Sequence, residues 1–152
     1  MKKVNLVFGT VYGSAQSVAE TLASELEGFG YSAKLWQPNE LKGFVPLENE
    51  LLLLVSSTTG QGDLPDDIMP WFDAIKTQSP YLPALNYSVV ALGDSSYETF
   101  CGAGKQLDAL FSELGAKATL PILELDAMET MDPELDASNW LKNWHKTVSA
   151  MA

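Results

Sequence analysis

No arginine occurs in the 152 residues, and there is one cysteine, Cys101, and one histidine, His145. Without guanidinium groups the chain lacks the planar forks that grip phosphate, carboxylate or guanine at two points. A single thiol cannot close an internal disulfide, and one thiol with one imidazole is a poor start for a zinc cage. A Ser/His or Cys/His catalytic pair would have to rest on His145 alone, which lies in a late helical segment and reads as a surface or packing residue. Cys101 reads as a buried structural thiol in preference to a reactive one. No apolar run approaches the roughly 20 residues of a membrane span, and five residues of strand pattern after Met1-Lys2-Lys3 are too few for a signal-peptide core. A reducing, cytoplasmic setting is the expected default.

What is abundant is acid. Twenty Asp and Glu stand against nine basic residues, all Lys, for a formal net charge of −11. Such a field repels nucleic acid and anionic membrane surfaces, so neither is expected as a partner. Hydrophobic residues make up 46% and charged residues 19%, enough to bury a core. The length suits one domain over residues 1–152, expected to be a monomer.

Short apolar runs at Val4–Phe8, Leu51–Val55 and Val89–Leu92 stop at Gly9, Ser56-Ser57 and Gly93-Asp94 and read as buried parallel strands. Ser32–Trp36 supplies a weaker strand. Leu120–Leu125 supplies a last one, whose Pro121 is tolerable only at an edge. Between them lie helical periods: Val18, Leu22 and Leu26; then Ile68, Trp71, Phe72 and Ile75; then Leu107, Leu110, Phe111 and Leu114. A final helix is expected from Asp136, with Trp140, Leu141, Trp144 and Val148 in register. Five strands alternating with helices predict an α/β doubly wound parallel sheet with helices on both faces, and a ligand outside the carboxyl ends of the strands.

Three loops fall at that edge. Gly9 through Gln16 joins strand to helix with two glycines and three hydroxyl groups, and can wrap an anion in backbone N–H groups. It lacks the Gly-Lys-Ser/Thr ending of a Walker loop and the spacing of a dinucleotide fingerprint. No Lys occurs between Lys3 and Lys34, so the anion would be held by neutral dipoles, which suits a resident phosphate ester and not phosphoryl transfer. Its plainer reading is a glycine turn with Ser14 as N-cap. Ser56 through Asp63 is polar, small and able to bring backbone against a planar ligand, or is simply a long turn. Gly93 through Gly102 adds Tyr97 and Phe100 to a hydrophilic bend, and Tyr97 has little reason to be exposed unless something stacks on it.

The run Gly93-Asp94-Ser95-Ser96-Tyr97-Glu98 through Phe100-Cys101-Gly102 resembles the third flavin loop of flavodoxins. The similarity spans the chain. It resembles the short-chain type, closest to the YqcA-type and MioC-like flavodoxins, and Ser57 through Asp66 is also similar to the FMN domains of diflavin reductases. The resemblance implies a five-stranded sheet of order 2-1-3-4-5 and FMN as cofactor. It implies that Thr10, Val11, Tyr12, Gly13, Ser14 and Ala15 bind the phosphate, with Ser57 adding a hydroxyl. Thr58, Thr59, Gly60, Gln61 and Gly62 would border the ring edge, Gly60 matching the glycine whose peptide flips to accept a hydrogen bond from flavin N5. Tyr97 would stack on one ring face, with Leu92, Gly93, Phe100 and Cys101 beside it. Asp94 would meet the ribityl or pyrimidine side, and Asp126 matches an acidic position near the flavin.

There are departures. Tyr12-Gly13-Ser14-Ala15 stands where the family commonly has Thr-Gly-Asn-Thr, which leaves N–H groups in place of two side-chain donors. Thr59 replaces a second stacking aromatic, so one ring face is open or covered by Leu64 or another neighbour.

The implied role is an electron carrier, not an enzyme. An NAD(P)H-dependent flavodoxin reductase would donate electrons, and a redox enzyme would accept them. From Phe44 to Gly104 the one basic residue is Lys76, while Asp63, Asp66, Asp67, Asp73, Asp94 and Glu98 lie in that span, and Glu124 to Asp136 adds six acids. Two acidic segments flanking the flavin would steer basic partner surfaces. The alternatives are an FMN-dependent reductase in its own right, a signalling receiver and a flavin-free acidic interaction module. The first wants an NAD(P)H site, and the second wants acids where Gly9-Thr10 and Ser56-Ser57 stand.

Overall fold

The computed structural model describes residues 2–59, 62–96 and 100–151. Along the chain run β1 (Lys3–Gly9), α1 (Ser14–Gly28), β2 (Ser32–Trp36), a 3-10 turn (Pro38–Glu40), β3 (Leu51–Ser56), α2 (Met69–Gln78), β4 (Asn86–Gly93), α3 (Gly102–Glu113), β5 (Lys117–Ala118), β6 (Leu123–Asp126) and α4 (Pro133–Ser149). Among the described residues the strands of the sheet all pair in parallel, in the order β2-β1-β3-β4-β5, with β6 also on β4.

The three central strands are buried on both faces, which is why they read as unbroken apolar runs and not as alternations. Val4, Leu6 and Phe8 of β1 and Leu51, Leu53 and Val55 of β3 face α1 and α4. Val7, Leu52, Leu54, Tyr87, Val89 and Ala91 face α2 and α3. Each helix turns its apolar stripe to the sheet: Val18, Leu22 and Leu26 of α1, Trp71, Phe72 and Ile75 of α2, Leu107, Leu110 and Phe111 of α3, and Leu141, Trp144 and Val148 of α4. His145 is a packing residue, as its sequence context suggests. Its Nδ1 lies 2.7 Å from the Tyr31 hydroxyl, and its ring stacks on Phe29 at 4.5 Å.

Two boundaries differ from the sequence reading. The last strand comes in two pieces, because Pro121 has no N–H for the ladder, and the pairing with β4 slips by two residues between Ala118 and Leu123. Helix α4 begins at Pro133, not Asp136; Asp132 caps it by accepting from the Leu135 N–H at 3.1 Å. Pro133 fits the first turn, where an N–H has no partner to lose.

Candidate functional site

The chain reverses its winding between β1 and β3, so the crevice above their carboxyl ends is the place for a ligand. Gly9 ends β1 pressed against the start of α2, where a Cβ would sit 2.6 Å from Ile68 Cγ2. The turn beyond it is held from within: Thr10 Oγ1 accepts from the Gly13 N–H at 2.8 Å, and the Ser17 N–H donates to the Gly13 carbonyl at 3.0 Å. Gly13 has φ +95°, a conformation that favours glycine, and it is Gly13 that caps α1. Ser14 is therefore not the N-cap; it opens the helix. Among the described residues, the N–H groups of Val11, Tyr12, Ser14, Ala15 and Gln16 make no hydrogen bond, and no acid sits in the first turn of α1. Five open donors beside a helix N-terminus form a cradle suited to an anion. The Ala15 side chain is buried in the core, leaving only its N–H to the turn.

The second loop is tied down at several points. The Ser57 N–H donates to the Gly9 carbonyl at 3.0 Å. Thr59 and Asp63 exchange backbone hydrogen bonds at 2.9 and 2.8 Å; Gly60 and Gln61 lie outside the described residues. Helix α3 grips it through Gln106 Nε2, which donates to the Gly62 carbonyl at 2.7 Å, and through the Ala103 N–H, 3.4 Å from Thr58 Oγ1.

In the third loop Asp94 accepts from the Ser96 N–H at 2.9 Å, fixing its own bend, and Tyr97 lies outside the described residues. Gly93 allows α3 to approach, since a Cβ there would be 2.9 Å from both N and Sγ of Cys101. Cys101 heads α3 at φ +53°, and its thiol lies 3.6 Å from the Ala91 carbonyl. Burial, aided by the Glu124 charge and opposed by Lys105, pushes the thiol up to about 12, so it is a packing group and not a thiolate.

These loops enclose a cavity of about 950 Å³. Of the residues expected at the site, Thr10, Val11, Tyr12 and Ser14 line it from the first loop, and Ser57, Thr58 and Thr59 from the second. Leu92, Gly93, Asp94 and Cys101 line it from the third. Gly13, Ala15, Gly62, Phe100 and Asp126 are not among its lining residues. Leu64, considered as a cover for the ring, is packed into the core instead. Reading the sequence missed Asp66 and Asp67 before α2, and Leu125, Ala127, Thr130 and Pro133 after β6. The second group could have been found, since the last strand also ends at this edge and its loop must lie there.

Two carboxylates, Asp67 on the cavity wall and Asp126 at the end of β6, are held in opposite electrostatic senses. Asp67 accepts from the Thr10 N–H, with both oxygens 3.1 Å from the nitrogen, yet burial outweighs that bond and raises its pKa above the ordinary value. Asp126 takes the Ser95 and Met128 N–H groups at 2.9 Å each, and its pKa is lowered, chiefly by Ser95. A depressed carboxylate pKa means that this clasp stabilises the fold above the ordinary value of 3.8 and is lost as pH falls through the lower folded value. The Ser95 and Met128 amide resonances are therefore expected to titrate together below pH 3.8, while independent titrations would show that Asp126 does not join the two loops.

Comparisons with known proteins agree with this geometry. The family model described as Flavodoxin matches residues 6–140. The chain is 41% identical to Flavodoxin YqcA of Escherichia coli (strain K12) over 149 residues, 98% of this chain and 100% of that one. It is 42% identical to part of the sulfite reductase [NADPH] flavoprotein alpha-component of Shewanella oneidensis, covering 90% of this chain and 22% of that protein. The solved C101S mutant of flavodoxin from Pseudomonas aeruginosa superposes with a TM-score of 0.87 at 43% identity, over 97% of this chain and 99% of the other. With a 2-1-3-4-5 sheet, a switch-point cavity and a family match across most of its length, the chain belongs to the flavodoxins, FMN-carrying electron-transfer proteins for which that sheet order is the type example.

Proposed function

We propose that this protein carries electrons on an FMN bound in the switch-point cavity, taking them from an NAD(P)H-dependent flavodoxin reductase and handing them to an acceptor redox enzyme. The observation that carries the reading is the cradle at residues 11–16: open N–H donors, no cation, and a cavity wall continuing into Leu92 and Leu125. That set fits a phosphate at one end and an apolar, planar ring at the other. FMN exchanges one or two electrons, and the residues around it hold it and exclude water. Thr10, Ser14 and Ser57 with the open amides would hold the phosphate. Thr58, Thr59 and Gly62 would border the ring edge with Gly60 and Gln61, and Tyr97 would cover a face.

Partner choice belongs to the rim. Asp66 lines the cavity and is exposed, and Glu129, Asp132 and Glu134, exposed as well, flank the lining residues Thr130 and Pro133. Among them stand the exposed apolar side chains Tyr12, Met128 and Met131. Lys105, which also reaches this side, is paired with Glu124 at 3.6 Å. Exposed apolar side chains and acids on the same loops suit a basic partner that docks over the flavin and leaves again.

Titrating the flavin-free protein with FMN is expected to quench flavin fluorescence at one equivalent. Reduction of the loaded protein by a flavodoxin reductase and NADPH should then slow about tenfold or more between roughly 20 and 300 mM salt. An unquenched titration sinks the carrier assignment, whereas a salt-indifferent rate sinks only the docking.

A further inference from the structure

We propose that Asp67 is a built-in counter-anion of the phosphate turn, a specificity-determining residue whose charge limits how tightly the turn holds a phosphate ester. This rests on the reading of the cavity as an FMN site. The turn carries five open N–H groups, but its first amide is already taken, because the Thr10 N–H points at a carboxylate with both oxygens 3.1 Å away. That carboxylate is anchored by this bond and by its chain neighbour Ile68, which is fully buried, and its Oδ1 packs close to Gly9. Asp67 also lines the cavity next to Thr10 and Ser14. A phosphate entering the turn therefore meets a negative charge hydrogen-bonded to that turn's first amide, with no Lys between Lys3 and Lys34 to offset it. The neighbouring Asp66 is exposed, so water screens its charge far more.

Asp67→Asn separates the two roles of the side chain, since its amide oxygen still accepts from Thr10 while the charge is gone. Flavin-free wild type, Asp67→Asn, Asp67→Ala and Asp66→Asn are titrated with FMN and with riboflavin, which lacks the phosphate, at pH 8. Asp67→Asn is expected to bind FMN about tenfold more tightly, the size of a partly screened like-charge pair at short range, with riboflavin changed less than about twofold. In Asp67→Ala both affinities can fall with the lost acceptor, but the FMN-to-riboflavin ratio should rise as it does in Asp67→Asn. Asp66→Asn should move that ratio less than about threefold. A ratio unchanged in Asp67→Asn, or moved as far by Asp66→Asn, overturns the proposal and leaves the cofactor site standing. Failure of wild type to bind either flavin overturns both.

Discussion

Replacing Gly104 with valine is expected to lower the melting temperature by about 6–12 °C. A Cβ at Gly104 would lie 2.3 Å from the Ala91 Cβ and 3.2 Å from its Cα, so α3 rests directly on β4 with no room for a methyl group. Both partners are buried and neither can rotate away, so the helix itself must shift, at a cost of about 3 kcal/mol, the upper part of the usual overpacking range. The damage would not stay in the core. Ala91 also offers its carbonyl to Cys101, and α3 holds the second loop through Ala103 and Gln106. A displaced α3 thus loosens two walls of the cavity, and FMN affinity should fall together with stability. Thermal melting of the flavin-free protein is the direct check. A change of less than about 2 °C would mean that helix and strand are not in such close contact.

The second large effect runs against stability instead of with it. Ser14→Asp places a carboxylate at the first position of α1, a turn that carries no acid, and an acid there should stabilise the helix by about 0.3–1 kcal/mol. The same carboxylate would sit on the cavity wall and compete for the open amides of the cradle. FMN affinity is expected to drop about a hundredfold, combining lost donors with like-charge repulsion. Riboflavin binding should change less than about threefold. Isothermal titration with both flavins, alongside a melt, reads all three quantities. Equal losses for FMN and riboflavin would place the phosphate elsewhere.

Much of this molecule is legible in its sequence because buried parallel strands are written as continuous apolar runs and their carboxyl ends as clusters of glycine and hydroxyl residues. Val4–Phe8, Leu51–Val55 and Val89–Leu92 could hardly be anything else, and the amphipathic periods between them fix which side of each helix is inward. What escaped were features settled by distant partners. Asp67 reads as one of several acids before a helix, and only folding brings it to Thr10, 57 residues away. Asp126 reads as an acid near a ligand, and the sequence does not reveal that its Oδ1 accepts from the amides of both Ser95 and Met128. Gly13 took the capping position from Ser14 because the turn needs a positive φ there, and neighbouring residue types do not reveal that. Pro121 pointed to an edge, but the two-residue slip it produces depends on how β4 pairs on either side.

That slip also governs how molecules behave when crowded. On the outer flank of the sheet the edge is split into two short pieces, Lys117–Ala118 and Leu123–Asp126, with Pro121 between them and Glu124 exposed in the second. On the opposite flank, a strand added to β2 would have to lie along a segment with Lys34 at its centre. Short, interrupted and charged margins of this kind are poor templates for intermolecular β-pairing, which disfavours aggregation of the native protein by strand addition.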